Sequence, residues 1–512
     1  MTSISRRSFL ATSAFSIAAS RLRSQNPAET AVTLSVPQEA NGPRIPANFT
    51  GLSYEVRQFA ASDFFSAKNA GLIRAFKTIA PGGVLRIGGN TGEFAWWKAR
   101  PDSPEPVHPR TREVEGEPKA NFYPVTPEAV RNLAAFLDAT GWTCIYGINM
   151  GTNTPELAAE EAEFAAKMLG PRLEYFQIGN EADLFDRHLR DPQTWSAKTY
   201  LDEWLALARA IAARAPGARF GMPDIASEMR WLTQIADLWS AIENPPHVVT
   251  LTHHYYFGGP ATNPDVNIPN LLKPATMAKV QRMADTAAAA AAKMGTRVRM
   301  TEGNTCYRGG KPGVSDVFAA ALWSADYSLL LASNSYTGIN LHGGTGLTIA
   351  SGLGGFLPGD DLLKSQNVTP EEIAAHPHPF YTPIASFGPE SALEPVAYGL
   401  MFAGSLNGGT LIHADFTSQL QAAGINATAY AAKLAHGETS FIVLNKDAER
   451  DLVLRLDFGA GKSGEAAIET LYARSLESRE AHITRSAKPE RVRNGRVTIQ
   501  VPRVSGLRLT FA

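Results

Sequence analysis

A (β/α)8 barrel joined to a C-terminal antiparallel β-sandwich is the fold class this sequence predicts, on three observations. Between Phe49 and Gly344, short apolar runs alternate with helix-like segments, eight times over. After about Ala392 the apolar period shortens towards two. Near the N-terminus, Val32-Thr33-Leu34-Ser35-Val36 has that same alternation ahead of the barrel. Eight strand-plus-helix units in roughly 300 residues fit a closed parallel barrel. A doubly wound sheet is the competing arrangement, but no GxGxxG follows a first strand, and the glycines of 343–355 come after the eighth.

The expected barrel strands are Phe49–Glu55, Val84–Gly89, Thr143–Gly151, Leu173–Glu181, Arg219–Ile225, Val248–Phe257, Arg297–Asn304 and Thr337–Gly344. Helical patterns fall between them at Pro155–Leu169, Thr194–Ala215 and Ala275–Met294, with Pro216-Gly217 and Gly295 as stops. The connections Asn90–Thr126 and Thr345–Pro383 are long, and both leave the C-terminal ends of strands, the face where barrels build their sites. A last helix, Val396–Leu406, precedes expected strands at Leu411–Phe416, Ala427–Leu434, Ser440–Leu444, Leu452–Phe458, Ala467–Tyr472, Val497–Val501 and Leu507–Phe511. The Val32–Val36 strand needs a partner for its backbone and is expected in this sheet. The implied division is 1–25 export signal, 26–45 N-terminal strand, 46–391 barrel and 392–512 helix plus sandwich.

Composition narrows the chemistry. The chain has 512 residues with 48 Lys+Arg against 49 Asp+Glu, a formal net charge of −1, which excludes holding nucleic acid by bulk electrostatics. Cys144 and Cys306 fall on strands that are not neighbours, so free thiols are expected rather than a disulfide framework or a cysteine-rich zinc module. No apolar run is long enough to span a bilayer. Ser5-Arg6-Arg7-Ser8-Phe9-Leu10, followed by apolar and small residues to Ala19, resembles a twin-arginine export signal, so the expected location is periplasmic or extracellular.

Two glutamates stand where strands meet polar loops: Glu181 after Gln177-Ile178-Gly179-Asn180 on the fourth strand, and Glu302 after Arg299-Met300-Thr301 on the seventh. Strands four and seven face each other across a barrel, so the two side chains converge on its mouth. Hydrolysis of a glycosidic bond needs such a pair, one carboxyl to protonate the leaving oxygen and one to attack carbon or activate water. His253 and His254 are adjacent on a strand, so at most one faces the site, and they form no two-histidine metal site. His376 and His378 read as surface histidines. No GxSxG elbow supports a serine nucleophile.

The runs Leu85-Arg86-Ile87-Gly88-Gly89-Asn90, Gly179-Asn180-Glu181, Thr252-His253-His254-Tyr255-Tyr256 and Thr301-Glu302 with Tyr307, then Ser315-Asp316-Val317-Phe318-Ala319-Ala320, resemble glycoside hydrolase family 79. This is the β-glucuronidase and heparanase family, within the clan of retaining barrel glycosidases. The resemblance implies that Glu181 is the general acid/base and Glu302 the nucleophile, with Asn180 bonding the sugar 2-hydroxyl. It implies Tyr307 for the substrate carboxylate and Glu55 for sugar hydroxyls. Tyr255 is the expected phenol donor to Glu302. Asn90 and the backbone N–H groups of Gly343 and Gly344 complete the expected binding set. Arg308 departs from the small residue usual at its position in the family.

The expected activity is release of β-linked glucuronic acid by a two-glutamate double displacement, without metal or other cofactor. The expected partner is a glucuronic-acid-containing carbohydrate, with no nucleic acid and no membrane span, and the chain is expected to be a monomer. Alternatives are an endo-acting, heparanase-like enzyme and a barrel glycosidase for a neutral sugar. A non-catalytic carbohydrate-binding protein ranks last, because both glutamates are present.

Overall fold

The structure, a computed structural model, describes residues 30–107, 122–345, 378–387 and 390–512. The twin-arginine segment, His376 and most of the 345–383 connection lie outside the described residues. Thr50–Glu55, Val84–Gly88, Thr143–Ile148, Leu173–Ile178, Phe220–Ile225, Val248–Gly258, Arg297–Cys306 and Ile339–His342 form a closed parallel barrel, in that order around the ring. They are called barrel strands one to eight below. Each begins within about two residues of its expected position, because a strand buried on both faces reads as an uninterrupted apolar run.

The helices between strands carry clear local signals. Thr126 and Thr154 cap Pro127–Thr140 and Pro155–Leu169 by accepting N–H bonds from Ala129 and Leu157, with proline in the first helical position. Pro274–Met294 stops at Gly295, whose φ of 66° is left-handed and suits glycine. The Asn90–Thr126 connection is partly ordered: a short 3-10 turn at Asn90–Phe94 leads into Ala95–Trp97, which pairs in parallel with Tyr123–Val125.

The C-terminal region forms two layers around a core of its own, which includes Leu34, Phe441, Leu454, Ile499 and Leu509. One layer is the three-stranded sheet Thr30–Ser35, Leu452–Asp457 and Arg496–Val501. The N-terminal strand does join it, pairing parallel to Leu452–Asp457 where the other pairings are antiparallel. The second layer centres on Ala427–Lys433, Thr439–Asn445, Ser505–Phe511 and Gly464–Tyr472. One expected strand is corrected: of the 411–416 run only Leu411 is extended, as the end of the short strand Thr410–Leu411, and Phe416–Ala422 is a helix whose Phe416 and Leu420 pack into the core one turn apart.

The two regions meet across the helix Phe318–Ser333, which is buried on nearly every side. Its Asp326 accepts from the hydroxyls of Thr428 and Tyr430 and pairs with Lys446, all three from the C-terminal sheet. A buried ion pair stabilises only when its remaining hydrogen-bonding capacity is met, and here the two hydroxyls supply the Asp326 oxygen that Lys446 does not take.

Candidate active site

The fourth barrel strand ends in a kinked turn that aims Glu181 into the mouth. Gly179 and Glu181 both take positive φ, 85° and 50°. The Asn180 N–H donates to Glu93 Oε1 at 2.6 Å, and the Glu181 N–H to the carbonyl of Asp224 at 2.8 Å. Glu93 also accepts from the N–H groups of Met150 and Gly151, so one carboxylate ties the ends of strands three and four together. Burial raises the Glu93 carboxyl to about 7 against those bonds. Across the barrel, the register between strands six and seven shifts between Met300 and Glu302, a bulge that re-aims the glutamate.

These elements bring Glu181, Glu302 and the His254 ring together, with one nitrogen or oxygen from each within 4.8 Å of the others. His254 Nδ1 lies 3.0 Å from Glu181 Oε1, and Nε2 lies 3.0 Å from Asp224 Oδ1. The buried Arg86 guanidinium donates to Glu302 Oε2 at 2.5 Å, Asp224 Oδ2 at 2.5 Å and Asn180 Oδ1 at 2.7 Å. His342 sits 3.7 Å from Glu302 and 3.4 Å from Glu55. Three such ligand atoms have a spacing a cation would accept. The carboxylates are, however, already compensated by Arg86 and His254.

The two glutamates are driven apart electrostatically. Burial would raise the Glu302 carboxyl, but His342, His254 and Arg86 outweigh it and hold it at about 2. Glu181 is raised, chiefly by burial with Glu302 adding to it, against the opposing effect of His254. One carboxyl is thus kept ionised while its neighbour is kept ready to carry a proton. Opposed environments of this kind are how a pair of carboxyls divides acid and nucleophile roles.

The remaining expected residues fare unevenly. Glu55 is buried at the end of strand one and accepts from the Thr91 N–H and hydroxyl. Asn180 donates through Nδ2 to Asn90, which is exposed at the rim. Tyr307 lies at the mouth, 37% exposed and edge-on to Tyr256. Arg308 beside it is exposed, with a φ of 61°.

Three expectations are corrected. Tyr255 points out of the barrel and stacks on Tyr327, whereas the Tyr256 hydroxyl donates to Glu302 Oε1 at 2.9 Å. With His254 facing inward, the two-residue period of a strand puts Tyr256 inside and Tyr255 outside. The N–H groups of Gly343 and Gly344 are already given to the Ser53 carbonyl and the Thr382 hydroxyl, so neither is free for a substrate. His378 is buried rather than on the surface. Cys144 and Cys306 are buried free thiols.

The sequence reading missed Arg86 and Asp224. Arg86 lies mid-strand in an apolar run and points into the barrel. A lone arginine between Leu85 and Ile87 was the available signal, since a wholly buried arginine demands carboxylate partners.

No family model matches the chain. Among curated proteins it is similar to β-glucuronidases of Aspergillus niger, 27% identical over 281 residues, and Neurospora crassa, 27% identical over 301 residues. These matches span 51% and 52% of this chain and 51% of each relative, so the chain spans about half the length of the curated relatives it matches. In fold it is similar to a 4-O-α-L-rhamnosyl-β-D-glucuronidase from Fusarium oxysporum, with a TM-score of 0.68 at 15% identity over 94% of this chain and 100% of that one. An arabinofuranosidase of glycoside hydrolase family 51 from Xanthomonas axonopodis superimposes with a TM-score of 0.64 at 14% identity, over 94% and 100% of the two chains.

Proposed function

We propose that this chain is a glycosidase of the family 79 type that releases β-linked glucuronic acid with retention of configuration. The observation that carries the reading is the pair Glu181 and Glu302, with carboxylate oxygens within 4.8 Å of each other and with opposed proton affinities. That spacing suits a nucleophile facing its acid, where an inverting pair would stand roughly 6.5–9.5 Å apart to admit water. The two curated relatives named β-glucuronidase support the choice of sugar.

In the first step Glu302 attacks the anomeric carbon while Glu181 gives its proton to the departing glycosidic oxygen. In the second, Glu181 takes a proton from water as that water displaces Glu302. Tyr256 and Arg86 hold the two oxygens of Glu302, so the carboxylate need not reorient to attack. The twin-arginine-like segment supports action outside the cytoplasm.

The deciding experiment is a panel of aryl β-glycosides including the glucuronide, glucoside and xyloside, with the first-formed anomer followed by NMR. Fastest hydrolysis of the glucuronide with β-glucuronate appearing first is the expected result. Preference for a neutral glycoside overturns the sugar assignment, and α-glucuronate appearing first overturns retention.

A further inference from the structure

Asp224 is the penultimate residue of the fifth barrel strand, wholly buried beneath the two glutamates and with a left-handed φ of 59°. A side chain with a Cβ adopts that conformation at some cost, which persists only where the surroundings enforce it. Its Oδ2 takes the Arg86 guanidinium; its Oδ1 takes the Thr301 hydroxyl and lies 3.0 Å from His254 Nε2. Its carbonyl accepts the Glu181 N–H.

We propose that Asp224 is a positioning residue for the acid/base group: its carboxylate holds His254 with an N–H at both ring nitrogens, so that Nδ1 donates to Glu181 throughout the cycle. The proposal rests on the reading of Glu181 as acid/base and adds what aims and tunes it. A neutral imidazole has one donor and one acceptor nitrogen. Nε2 faces the Asp224 carboxylate at 3.0 Å, so a neutral ring that keeps its hydrogen there would have to accept at Nδ1, drawing the Glu181 proton towards itself and away from a sugar. A doubly protonated ring instead donates to Glu181 Oε1 and leaves the acid proton on Oε2 for the glycosidic oxygen.

The groups around His254 agree. Asp224 faces it from strand five, Glu181 from strand four, and Glu302 from strand seven at 4.0 Å, while Arg86 of strand two pairs with both Asp224 and Glu302. On its own strand, burial lowers His253 to about 4, which keeps that ring neutral, and Tyr256 gives its hydroxyl to Glu302. Among the groups that touch Asp224 or His254, two cations, Arg86 and His254, then face two anions, Asp224 and Glu302, while Glu181 is neutral. When Glu181 releases its proton to the leaving oxygen, its new charge meets an imidazolium already aimed at it, and the proton later returns from water. Burial disfavours a charged His254, but Asp224 and Glu302 outweigh that and raise it to about 10.

The test is a 15N-histidine NMR titration of the full chain, with His254 assigned from its absence in His254→Gln, together with pH profiles of Asp224→Asn on an aryl glucuronide. In the wild type, His254 is expected to keep both N–H groups from pH 6 to 9. In Asp224→Asn, the ring is expected to become neutral, and the basic limb of kcat/KM to move up by about one pH unit, because Glu181 loses its cation. A neutral His254 in the wild type at pH 7 overturns the proposal. So does an Asp224→Asn enzyme that is slower at every pH with its basic limb unmoved. If Asp224→Asn fails to fold, the wild-type titration decides alone. That titration needs no activity, so a wild type that hydrolyses no glycoside sinks the functional reading separately.

Discussion

Tyr256 donates its phenol hydrogen to Glu302 Oε1 at 2.9 Å, while Tyr255, one residue earlier, stacks on Tyr327 outside the barrel. The two phenols therefore predict opposite outcomes. Tyr256→Phe removes a bond to an ionised carboxylate, worth about 1.5–3 kcal/mol, so kcat/KM should fall roughly 10- to 150-fold. Tyr255→Phe leaves the nucleophile untouched and should leave kcat/KM near the wild type. Steady-state kinetics on one aryl glucuronide separates them, and similar losses from both would refute the assignment.

The two glutamates should fail differently. Glu302→Gln removes the proposed nucleophile and should abolish turnover whatever the leaving group. Glu181→Gln removes general acid catalysis, worth about 10²–10⁴-fold, and the loss should shrink as the leaving phenol becomes more acidic. Rates across a series of aryl glucuronides give the slope. A Glu181→Gln defect independent of leaving group would take the acid role away from Glu181.

The pH profile follows from the same pair. The proposed reaction needs Glu302 ionised, and His342, His254 and Arg86 hold its carboxyl down to about 2, so the acid limb of kcat/KM should lie below the usual carboxylate range. Glu181 must be protonated, and burial raises it, so activity should persist above the ordinary glutamate value and fall as pH rises through its raised one. A basic limb at the ordinary value of about 4.3 would contradict this.

Much of this site was legible because its carriers stand where an apolar run meets polar residues: Glu55 is the last residue of strand one, Glu181 lies just past strand four, and Glu302 follows the apolar start of strand seven, which runs on to Cys306. What lay deeper did not. Arg86 points into the barrel from within an apolar run, on a strand that pairs without a shift on either side; the inward face of Asp224 depends on register, which shifts at bulges between strands five and six and between six and seven. A bulge spans two residues on one strand against one on its neighbour, so face assignments cannot be carried from one strand to the next. The choice between Tyr255 and Tyr256 turned on this. The free donors expected at Gly343 and Gly344 failed for another reason: the eighth strand continues its bonding past its apolar residues, and its backbone is spent before the loop begins.

Glu161 offers a stability test away from the site. It is buried on the helix Pro155–Leu169, accepts the Tyr146 hydroxyl at 2.9 Å, and is raised by burial to about 7. A carboxyl whose folded value exceeds its unfolded one contributes stability below the unfolded value, and that contribution is lost as pH rises to the folded one. The wild type should therefore lose up to about 3 kcal/mol relative to Glu161→Gln between pH 4.5 and 7, at about 1.4 kcal/mol per unit. Urea melts of both proteins across that window check it, and parallel curves would show that Glu161 ionises as freely folded as unfolded.

Tyr307 carries the specificity prediction. It follows the nucleophile's strand at the mouth, held against Gly259, where any Cβ would strike its ring, and edge-on to Tyr256. Its hydroxyl makes no hydrogen bond among the described residues, so it is available to a substrate. Gly343 and Gly344 have no N–H to give to the C6 carboxylate of a glucuronide, whereas the Tyr307 hydroxyl is a side-chain donor at the same mouth. Tyr307→Phe should then cost roughly 1–3 kcal/mol in kcat/KM on a glucuronide. The matching glucoside should be affected much less, because a donor discriminates only against a substrate that offers it an acceptor. Parallel kinetics on the two aryl glycosides give the ratio. A loss of equal size on both would assign Tyr307 to support of Tyr256 and the nucleophile, and would move recognition of the carboxylate to another side chain at the mouth.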